Sequence, residues 1–205
     1  MDQIINFEIS NYCNLKCPLC PREITNTKIN NVQIEYEIFE EIVFSNYPYF
    51  KNCICKFCGE FGDPLTHKQI DKFLELSSKC FREVLIFTNG SIKKSSWYKN
   101  KMQEYSNLHL HFGIDGMTND INNLYRTGSN IEKIFENLRS ASQIDDNRVH
   151  WDYTIFKWNE HQVDDARKMA KTLNIDINVR PNGKTSNPGI EKEIYDRAKN
   201  ILQIL

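Results

Sequence analysis

Short apolar segments and longer amphipathic segments alternate along the chain. Six short segments are rich in Ile, Val and Phe, which favours β-strands. Longer segments between them repeat apolar residues every three or four positions, as Ile34, Ile38 and Ile42 do, and this period is typical of a helix with one buried face. The predicted strands span residues 4–10, 53–57, 83–87, 108–114, 148–156 and 175–179, and the predicted helices span residues 33–47, 68–79, 95–105, 160–173 and 190–205, with one more after residue 129.

Two of these helices have recognisable start signals. Ser129 and Glu132 have the spacing of a capping box, in which each side chain bonds the backbone of the other residue. Asn159 precedes the helix that begins at residue 160, and asparagine is a favoured capping residue at that position. Ser129 and Asn159 are therefore predicted to cap helices.

The alternation of strands and helices predicts one parallel sheet with right-handed crossovers. At roughly 30 residues per strand–helix unit, the 205 residues accommodate six units in a single domain, residues 1–205. A closed barrel of eight units usually needs ~250 residues. The prediction is thus an α/β fold, an incomplete (βα)6 TIM-like barrel, and an open doubly wound sheet remains the alternative. In both, ligands bind where the strands end.

Composition and charge argue against several classes of function. The chain has 26 basic and 27 acidic residues, a formal net charge of -1, so no long-range field attracts nucleic acid or an acidic membrane. No segment approaches the ~18 unbroken apolar residues of a membrane span, and the first residues do not have the pattern of a secretory signal. We therefore expect a cytoplasmic protein. In that reducing compartment, clustered cysteines indicate metal binding or catalysis more often than disulfides.

Three cysteines lie close together after the first predicted strand. Cys13, Cys17 and Cys20 are separated by four and three positions. Soft thiolates suit iron–sulfur clusters and zinc. A structural zinc ion would need a fourth ligand from elsewhere in the chain, whereas a cubane cluster held by three cysteines leaves one iron open to an exogenous ligand.

The Cys-x3-Cys-x2-Cys triplet resembles the signature of the radical S-adenosylmethionine (SAM) superfamily. The resemblance implies a [4Fe–4S] cluster whose open iron binds the amino and carboxylate groups of SAM. It also implies reductive cleavage of SAM to a 5'-deoxyadenosyl radical, which abstracts hydrogen from a substrate, with the cofactor carrying the difficult chemistry. Ferredoxin or flavodoxin is the implied electron donor.

The turn after the second strand resembles the family's Gly-Gly-Glu-Pro-like turn, which binds the SAM amino group. Gly62-Asp63-Pro64-Leu65 matches it with Asp in place of Glu, and Gly59-Glu60 is a second register. Glycine lets the backbone approach a ligand, and an acidic side chain can accept from an ammonium group. A simple turn is the alternative.

Four further residues match positions that line the SAM site in the family. Thr88 and Asn89 follow the third strand, and Asp115 ends the fourth. Arg126 resembles an Arg-x-Gly element whose guanidinium would hold the SAM carboxylate. Leu19 stands where the family places an apolar residue against adenine, with plain packing as the alternative.

The substrate is less defined than the cofactor. Residues 155–162 resemble a stretch of radical SAM proteins with twitch or SPASM extensions, but no cysteine follows Cys80 to bind an auxiliary cluster. This resemblance favours a peptide or protein substrate. A glycyl-radical activating enzyme, a small-metabolite radical enzyme and, more distantly, a non-enzymatic zinc-binding module remain alternatives. Cys53 and Cys55, and likewise His109 and His111, are expected to share strand faces and to pack structurally.

Overall fold

The six predicted strands form one sheet in which chain neighbours are also spatial neighbours. The computed structural model describes residues 2–24, 30–182 and 188–202. Adjacent strands are parallel throughout, in the order β1-β2-β3-β4-β5-β6. The strands are β1 Ile4–Phe7, β2 Ile54–Phe57, β3 Glu83–Thr88, β4 Leu108–Gly113, β5 Val149–Ile155 and β6 Asp176–Pro181.

This strand order separates the two predicted architectures. A doubly wound sheet reverses direction at a switch point, whereas here the order runs in one direction from β1 to β6. Within the described residues, β1 and β6 each pair with a single neighbour, so the sheet does not close. The prediction of an incomplete (βα)6 barrel is confirmed.

Helices and turns occupy the connections between strands. The α-helices are α1 Pro21–Ile24, α2 Tyr36–Ser45, α3 Tyr47–Phe50, α4 Ile70–Cys80, α5 Ser95–Glu104, α6 Asn119–Tyr125, α7 Ile131–Ser142, α8 Val163–Leu173 and α9 Pro188–Leu202. Short 3-10 turns cover Pro64–Thr66, Asp146–Arg148 and Glu160–Gln162. The predicted last helix is α9, and residues 203–205 lie outside the described residues. Among the helices described, none combines the length and the apolar character needed to cross a bilayer.

The hydrophobic core lies between the sheet and the helices. Ile86 of β3, Phe112 of β4 and Phe73 of α4 are fully buried there, and Phe135 of α7 is 7% exposed. Alternate residues of β3 and β4 are buried and the residues between them are partly exposed. One face of the sheet is therefore covered by helices, and each large side chain buried on it contributes about 1.5–3 kcal/mol of transfer free energy.

A second, smaller hydrophobic cluster supports the cysteine segment. It joins that segment to α6, to the end of β5 and to α9, and it buries Leu19, Ile121, Leu124, Tyr125, Phe156, Trp158, Ile194 and Ala198. The C-terminal helix thus stabilises the loop that carries the triplet.

Both capping predictions were wrong. Asn130, not Ser129, caps α7, and its Oδ1 accepts from the Lys133 N–H at 3.0 Å. Ser129 instead accepts a hydrogen bond from Asn122 at 2.8 Å. Asn159 lies at the start of a 3-10 turn but makes no capping bond. In each case the side chain forms hydrogen bonds with residues outside the helix end that the local spacing predicted it to cap.

Candidate active site

The cysteine triplet lies on the loop after β1, at the carboxyl edge of the sheet. Cys13, Cys17 and Cys20 are free thiols, each partly exposed. The Cys20 N–H donates to the Cys17 carbonyl at 2.9 Å, and Lys16 N donates to the Thr127 carbonyl at 3.0 Å. The loop is therefore bonded to the segment that follows α6.

Burial and mutual proximity control the charge of these thiols. Burial raises the pKa of Cys17 to about 12; Arg126 opposes the rise, and Cys13 and Cys20 add to it. Burial also raises the pKa of Cys13, and Asp63 raises it further. Without a metal, the Cys13 and Cys17 thiols stay protonated at neutral pH, and a metal would have to displace their protons.

This donor set fits an iron–sulfur cluster. Three thiols, the soft donors that such clusters prefer, lie on one loop and are near enough to affect one another's pKa. Within the described part of the chain, no group of three or more His, Cys, Asp or Glu side chains is arranged to hold a single metal ion.

The turn after β2 lies against the start of the cysteine loop. Gly62 is buried there, and a Cβ on it would lie 2.8 Å from the Asn11 Cα. The Asp63 N–H donates to the Tyr12 carbonyl at 2.8 Å. Glycine is therefore required at position 62, because a side chain there would prevent the turn from hydrogen-bonding to Tyr12, the residue before Cys13. Gly59, in the second predicted register, is exposed and faces the Gly62 carbonyl.

Asp63 uses both carboxylate oxygens inside the protein. Oδ1 accepts from the Leu65 N–H at 3.0 Å, and Oδ2 accepts from the Asn89 N–H at 2.8 Å. The Thr88 hydroxyl donates to the carboxylate at 2.9 Å and 3.1 Å. Asp63 is only 3% exposed. The predicted acceptor for the SAM ammonium therefore faces inward and joins the turns after β2 and β3.

Glu60 differs from Asp63 in being exposed. Its N–H donates to Glu8 Oε1 at 2.8 Å, and the Cys58 thiol donates to the same oxygen at 3.2 Å. The Glu60 turn is thus held through its backbone, and Glu60 is exposed beyond the carboxyl end of β2.

The turn after β3 reaches the cysteine loop through an amide. The Asn89 Nδ2 group lies 3.6 Å from the Cys13 Sγ and 3.0 Å from Asn14 Oδ1. Gly90 follows with a φ of 75°, a conformation that favours glycine. Thr88 and Asn89 are both 5% exposed. These two residues were predicted as SAM contacts, and the structure places them against Asp63 and Cys13.

Asp115 and Arg126 form an ion pair after β4, in which the Asp115 side chain is fully buried and the Arg126 side chain is 21% exposed. The Arg126 Nε donates to Asp115 Oδ2 at 2.7 Å, and the Thr154 N–H donates to Oδ1 at 2.6 Å. Burial would lower the pKa of Arg126, but Asp115 and Cys17 raise it above its usual value. Asp115 is fully buried. Both of its oxygens therefore serve to orient Arg126 and β5.

Asn159 is a further buried residue at this edge. Its Nδ2 donates to the Asp115 and Thr154 carbonyls, both at 2.8 Å, and its Oδ1 accepts from the Phe156 N–H at 2.7 Å. It therefore joins the ends of β4 and β5. The sequence indicated only a helix cap at Asn159, because the acceptor Asp115 lies 44 residues away.

Leu19 packs inside the second hydrophobic cluster and is 1% exposed. This burial agrees with the packing alternative, and the contact with adenine stays a prediction.

The partly exposed face of the sheet carries a row of imidazoles. His111 stacks on Phe87 at 4.1 Å and on His150 at 4.5 Å between ring centroids. His109 is also partly exposed and stacks on His150 at 5.7 Å. The prediction that His109 and His111 share a strand face is confirmed.

Comparisons with known proteins agree with this geometry. No family model matches the sequence. The antilisterial bacteriocin subtilosin biosynthesis protein AlbA of Bacillus subtilis is 22% identical over 121 residues, which are 58% of this chain and 26% of AlbA.

Solved structures match across nearly the whole chain. SuiB of Streptococcus suis bound to precursor peptide SuiA superposes with a TM-score of 0.73 at 14% identity, covering 99% of this chain and 46% of SuiB. The anSMEcpe structure with bound AdoMet superposes with a TM-score of 0.70 at 18% identity, covering 99% of this chain and 59% of anSMEcpe. The chain thus spans about a quarter of AlbA and less than half of SuiB.

The strand order and these matches establish the fold. The chain has the fold of SuiB, solved with its precursor peptide and with S-adenosylmethionine, and of anSMEcpe, solved with AdoMet. This is the fold that the resemblance stated from the motifs implies.

Proposed function

We propose that the chain is the core of a radical SAM enzyme that modifies a peptide or protein. The observation that carries the proposal is the cysteine triplet on the loop after β1, hydrogen-bonded to the turns after β2 and β3 and to the segment after α6. Cys13, Cys17 and Cys20 would hold a [4Fe–4S] cluster, which would supply the electron for reductive cleavage of SAM and so the radical chemistry of hydrogen abstraction.

Arg126 is the proposed partner of the SAM carboxylate. Asp115 occupies only its Nε, and the terminal nitrogens lie beside Gly113, where a Cβ would be 2.6 Å from the nearer one. Glycine at 113 therefore leaves space for the guanidinium, and Asp115 fixes its orientation. A guanidinium with free N–H groups matches a carboxylate bidentately.

Glu60 is the proposed acceptor for the SAM ammonium. Its exposed carboxylate follows β2, whereas the oxygens of Asp63 accept from Leu65, Thr88 and Asn89. Gly59 and Gly62 allow the close approach of the backbone in this turn. Asp63 and Thr88 then act as positioning residues for the SAM site, and Asn89 does so through the cysteine loop.

A peptide or protein is the proposed substrate. Support comes from the similarity to SuiB, which was solved with a precursor peptide, and to AlbA, a bacteriocin biosynthesis protein. The sheet also leaves β1 and β6 unjoined within the described residues, so one side of the partly exposed face is open to a large ligand. Ferredoxin or flavodoxin is the proposed electron donor.

Anaerobic reconstitution with iron and sulfide tests the cofactor proposal. Wild type should bind about four iron atoms and become brown, added SAM should change its EPR signal, and dithionite should then yield 5'-deoxyadenosine. Cys17→Ala should lose the cluster and the cleavage. Cys58→Ala is the matched control, because Cys58 is also a partly exposed strand-end cysteine but lies outside the triplet.

Two results would contradict the proposal. One is a colourless wild-type protein that retains a single zinc ion, which supports a zinc-binding module. The other is full SAM cleavage by Cys17→Ala. For the substrate, mass spectrometry of extract peptides and small metabolites after incubation with the reconstituted enzyme should show a mass change in a peptide; a change confined to a small metabolite would contradict the peptide proposal.

A further inference from the structure

The orientation of the Asn89 amide is fixed by its neighbours. Its Oδ1 accepts from the Ser91 N–H at 3.0 Å and from the Ser91 hydroxyl at 2.5 Å. A backbone N–H can only donate, so the atom facing it must be the oxygen. The Nδ2 group must therefore face the other way, towards Asn14 and Cys13.

Asn14 completes a closed ring of hydrogen bonds. Its Oδ1 accepts from Asn89 at 3.0 Å, and its Nδ2 donates to the Ser91 hydroxyl at 2.9 Å. One hydrogen of the Asn89 amide is used by Asn14, and the second is directed at the Cys13 sulfur, 3.6 Å away. Both hydrogens of the Asn89 amide thus meet an acceptor, and among the described residues the acceptor of the second hydrogen is the Cys13 sulfur.

The donor is also held from outside the ring. The Asn89 backbone N–H bonds Asp63, and the Gly90 carbonyl accepts from Asn137 of α7 at 2.7 Å. Lys133 of α7 donates to the Ser91 carbonyl at 2.5 Å. These bonds do not use the Asn89 side chain, so they persist when that side chain is changed.

We propose that Asn89 raises the reduction potential of the cluster by donating an N–H hydrogen bond to the sulfur of Cys13. The inference rests on the proposed function, because it requires Cys13 to be a cluster ligand. Reduction adds negative charge that spreads onto the ligand sulfurs, and an N–H donor stabilises that charge. The Asn89 side chain is buried, so its hydrogen bond to the sulfur is stronger than the same bond in water. Asn89 is then a positioning and tuning residue rather than a SAM contact.

The test is an anaerobic redox titration of reconstituted protein without SAM, followed by EPR. Asn89→Ala removes the donor, and we expect the ratio of reduced to oxidised cluster at a fixed ambient potential to fall about tenfold, ~59 mV for a one-electron couple. Asn89→Asp keeps the acceptor for Ser91 but turns an oxygen towards the sulfur, so its shift to more negative potential should be larger.

Asn14→Ala is the matched control. It removes an amide from the same ring, but Ser91 still holds the Asn89 oxygen, so the donor to Cys13 remains. Its potential should stay close to that of wild type.

The outcomes separate this inference from the proposed function. If wild type binds a cluster and all three variants keep wild-type potential with full iron content, the inference is overturned and the proposed function stands. An equal shift in Asn14→Ala and Asn89→Ala also overturns it, because the effect then comes from the ring as a whole. If wild type binds no cluster, both fail.

Discussion

Asp63 and Asp115 are both buried carboxylates that follow a strand, but they are stabilised in different ways. Asp63, after β2, accepts hydrogen bonds from neutral donors only: two backbone N–H groups and the Thr88 hydroxyl. Asp115, after β4, accepts one bond from a backbone N–H and one from the guanidinium of Arg126. At Asp63, several neutral dipoles stabilise one negative charge, whereas at Asp115 a negative charge is paired with a positive one.

This difference shows what an acidic residue at a strand end can do. Both carboxylates occupy positions where ligands bind in parallel α/β folds, yet both face inward and hold neighbouring loops. For Asp63, burial raises the pKa although Asn89, Leu65 and Thr88 all donate to the carboxylate. Removing the charge of Asp63 and removing the charge of Asp115 should therefore change the stability of the protein by different amounts.

The largest effect is expected for Asp115→Ala. It leaves the Arg126 guanidinium without its partner in a buried site, which costs about 3–5 kcal/mol of unfolding free energy. Urea denaturation of the metal-free protein measures the loss. Glu75→Ala is the control, since its partner Lys79 is exposed and returns to water, at about 1 kcal/mol or less.

A second substitution sharpens this result. Arg126→Met in the Asp115→Ala background removes the uncompensated charge, so at least about half of the lost stability should return. A double variant no more stable than Asp115→Ala would show that Asp115 stabilises the protein through packing rather than through charge pairing.

A smaller loss is expected for Asp63→Asn. Whichever oxygen becomes an NH2 group, either the Leu65 or the Asn89 N–H loses its acceptor. An unsatisfied buried donor costs about 1–3 kcal/mol. Denaturation at neutral pH measures it, with the exposed Asp176→Asn as a control that should stay within about 0.5 kcal/mol of wild type. Equal losses in both variants would contradict the assigned role.

The pH dependence of the same pair of proteins tests the charge state of Asp63. The folded-state pKa is raised, so the unfolded chain loses this proton first, near its ordinary pKa of about 3.9. Stability from Asp63 is therefore fully present below that pH and declines as pH rises towards the folded pKa. The stability difference between wild type and Asp63→Asn should shrink from pH 4 upwards; a difference that grows would mean a lowered pKa.

The smallest effect is expected for Thr88→Val. It removes one hydroxyl that bonds Asp63 and accepts from the Gly90 N–H, at a cost of about 1 kcal/mol. Because Thr88 and Asp63 are in contact, the double variant Thr88→Val/Asp63→Asn should lose less than the sum of the two single losses. Additive losses would show that the two side chains act independently.

Much of the fold could be predicted from the sequence. Each strand is a compact apolar segment bounded by turn residues, and the predicted bounds differ from the observed ones by a few residues. The helix Asn119–Tyr125 was missed because it has only two turns and four of its seven residues are Asn or Asp, too few apolar positions to establish a period.

The sequence indicated which polar residues follow strands but not which way their side chains face. Asp63, Thr88, Asn89, Asp115 and Arg126 were selected because they follow strands or match a motif, and their roles as SAM contacts stay predictions. Their partners were not found, since Asp63 bonds Thr88 from 25 residues away and Asp115 bonds the Thr154 N–H from 39. Asn14 and Ser91 carried no sequence signal, because their role depends on meeting across more than 70 residues.

Gly90 gives this arrangement an evolutionary consequence. A Cβ at this position would lie 2.7 Å from the Phe112 ring and 3.0 Å from Ile134 of α7, and its φ of 75° disfavours other residues. Gly90, which follows Asn89, therefore lies in close contact with both β4 and α7. Substitutions that repack α7 should also move the Asn89 amide beside Cys13, so the proposed role of Asn89 limits the residues that α7 can accept.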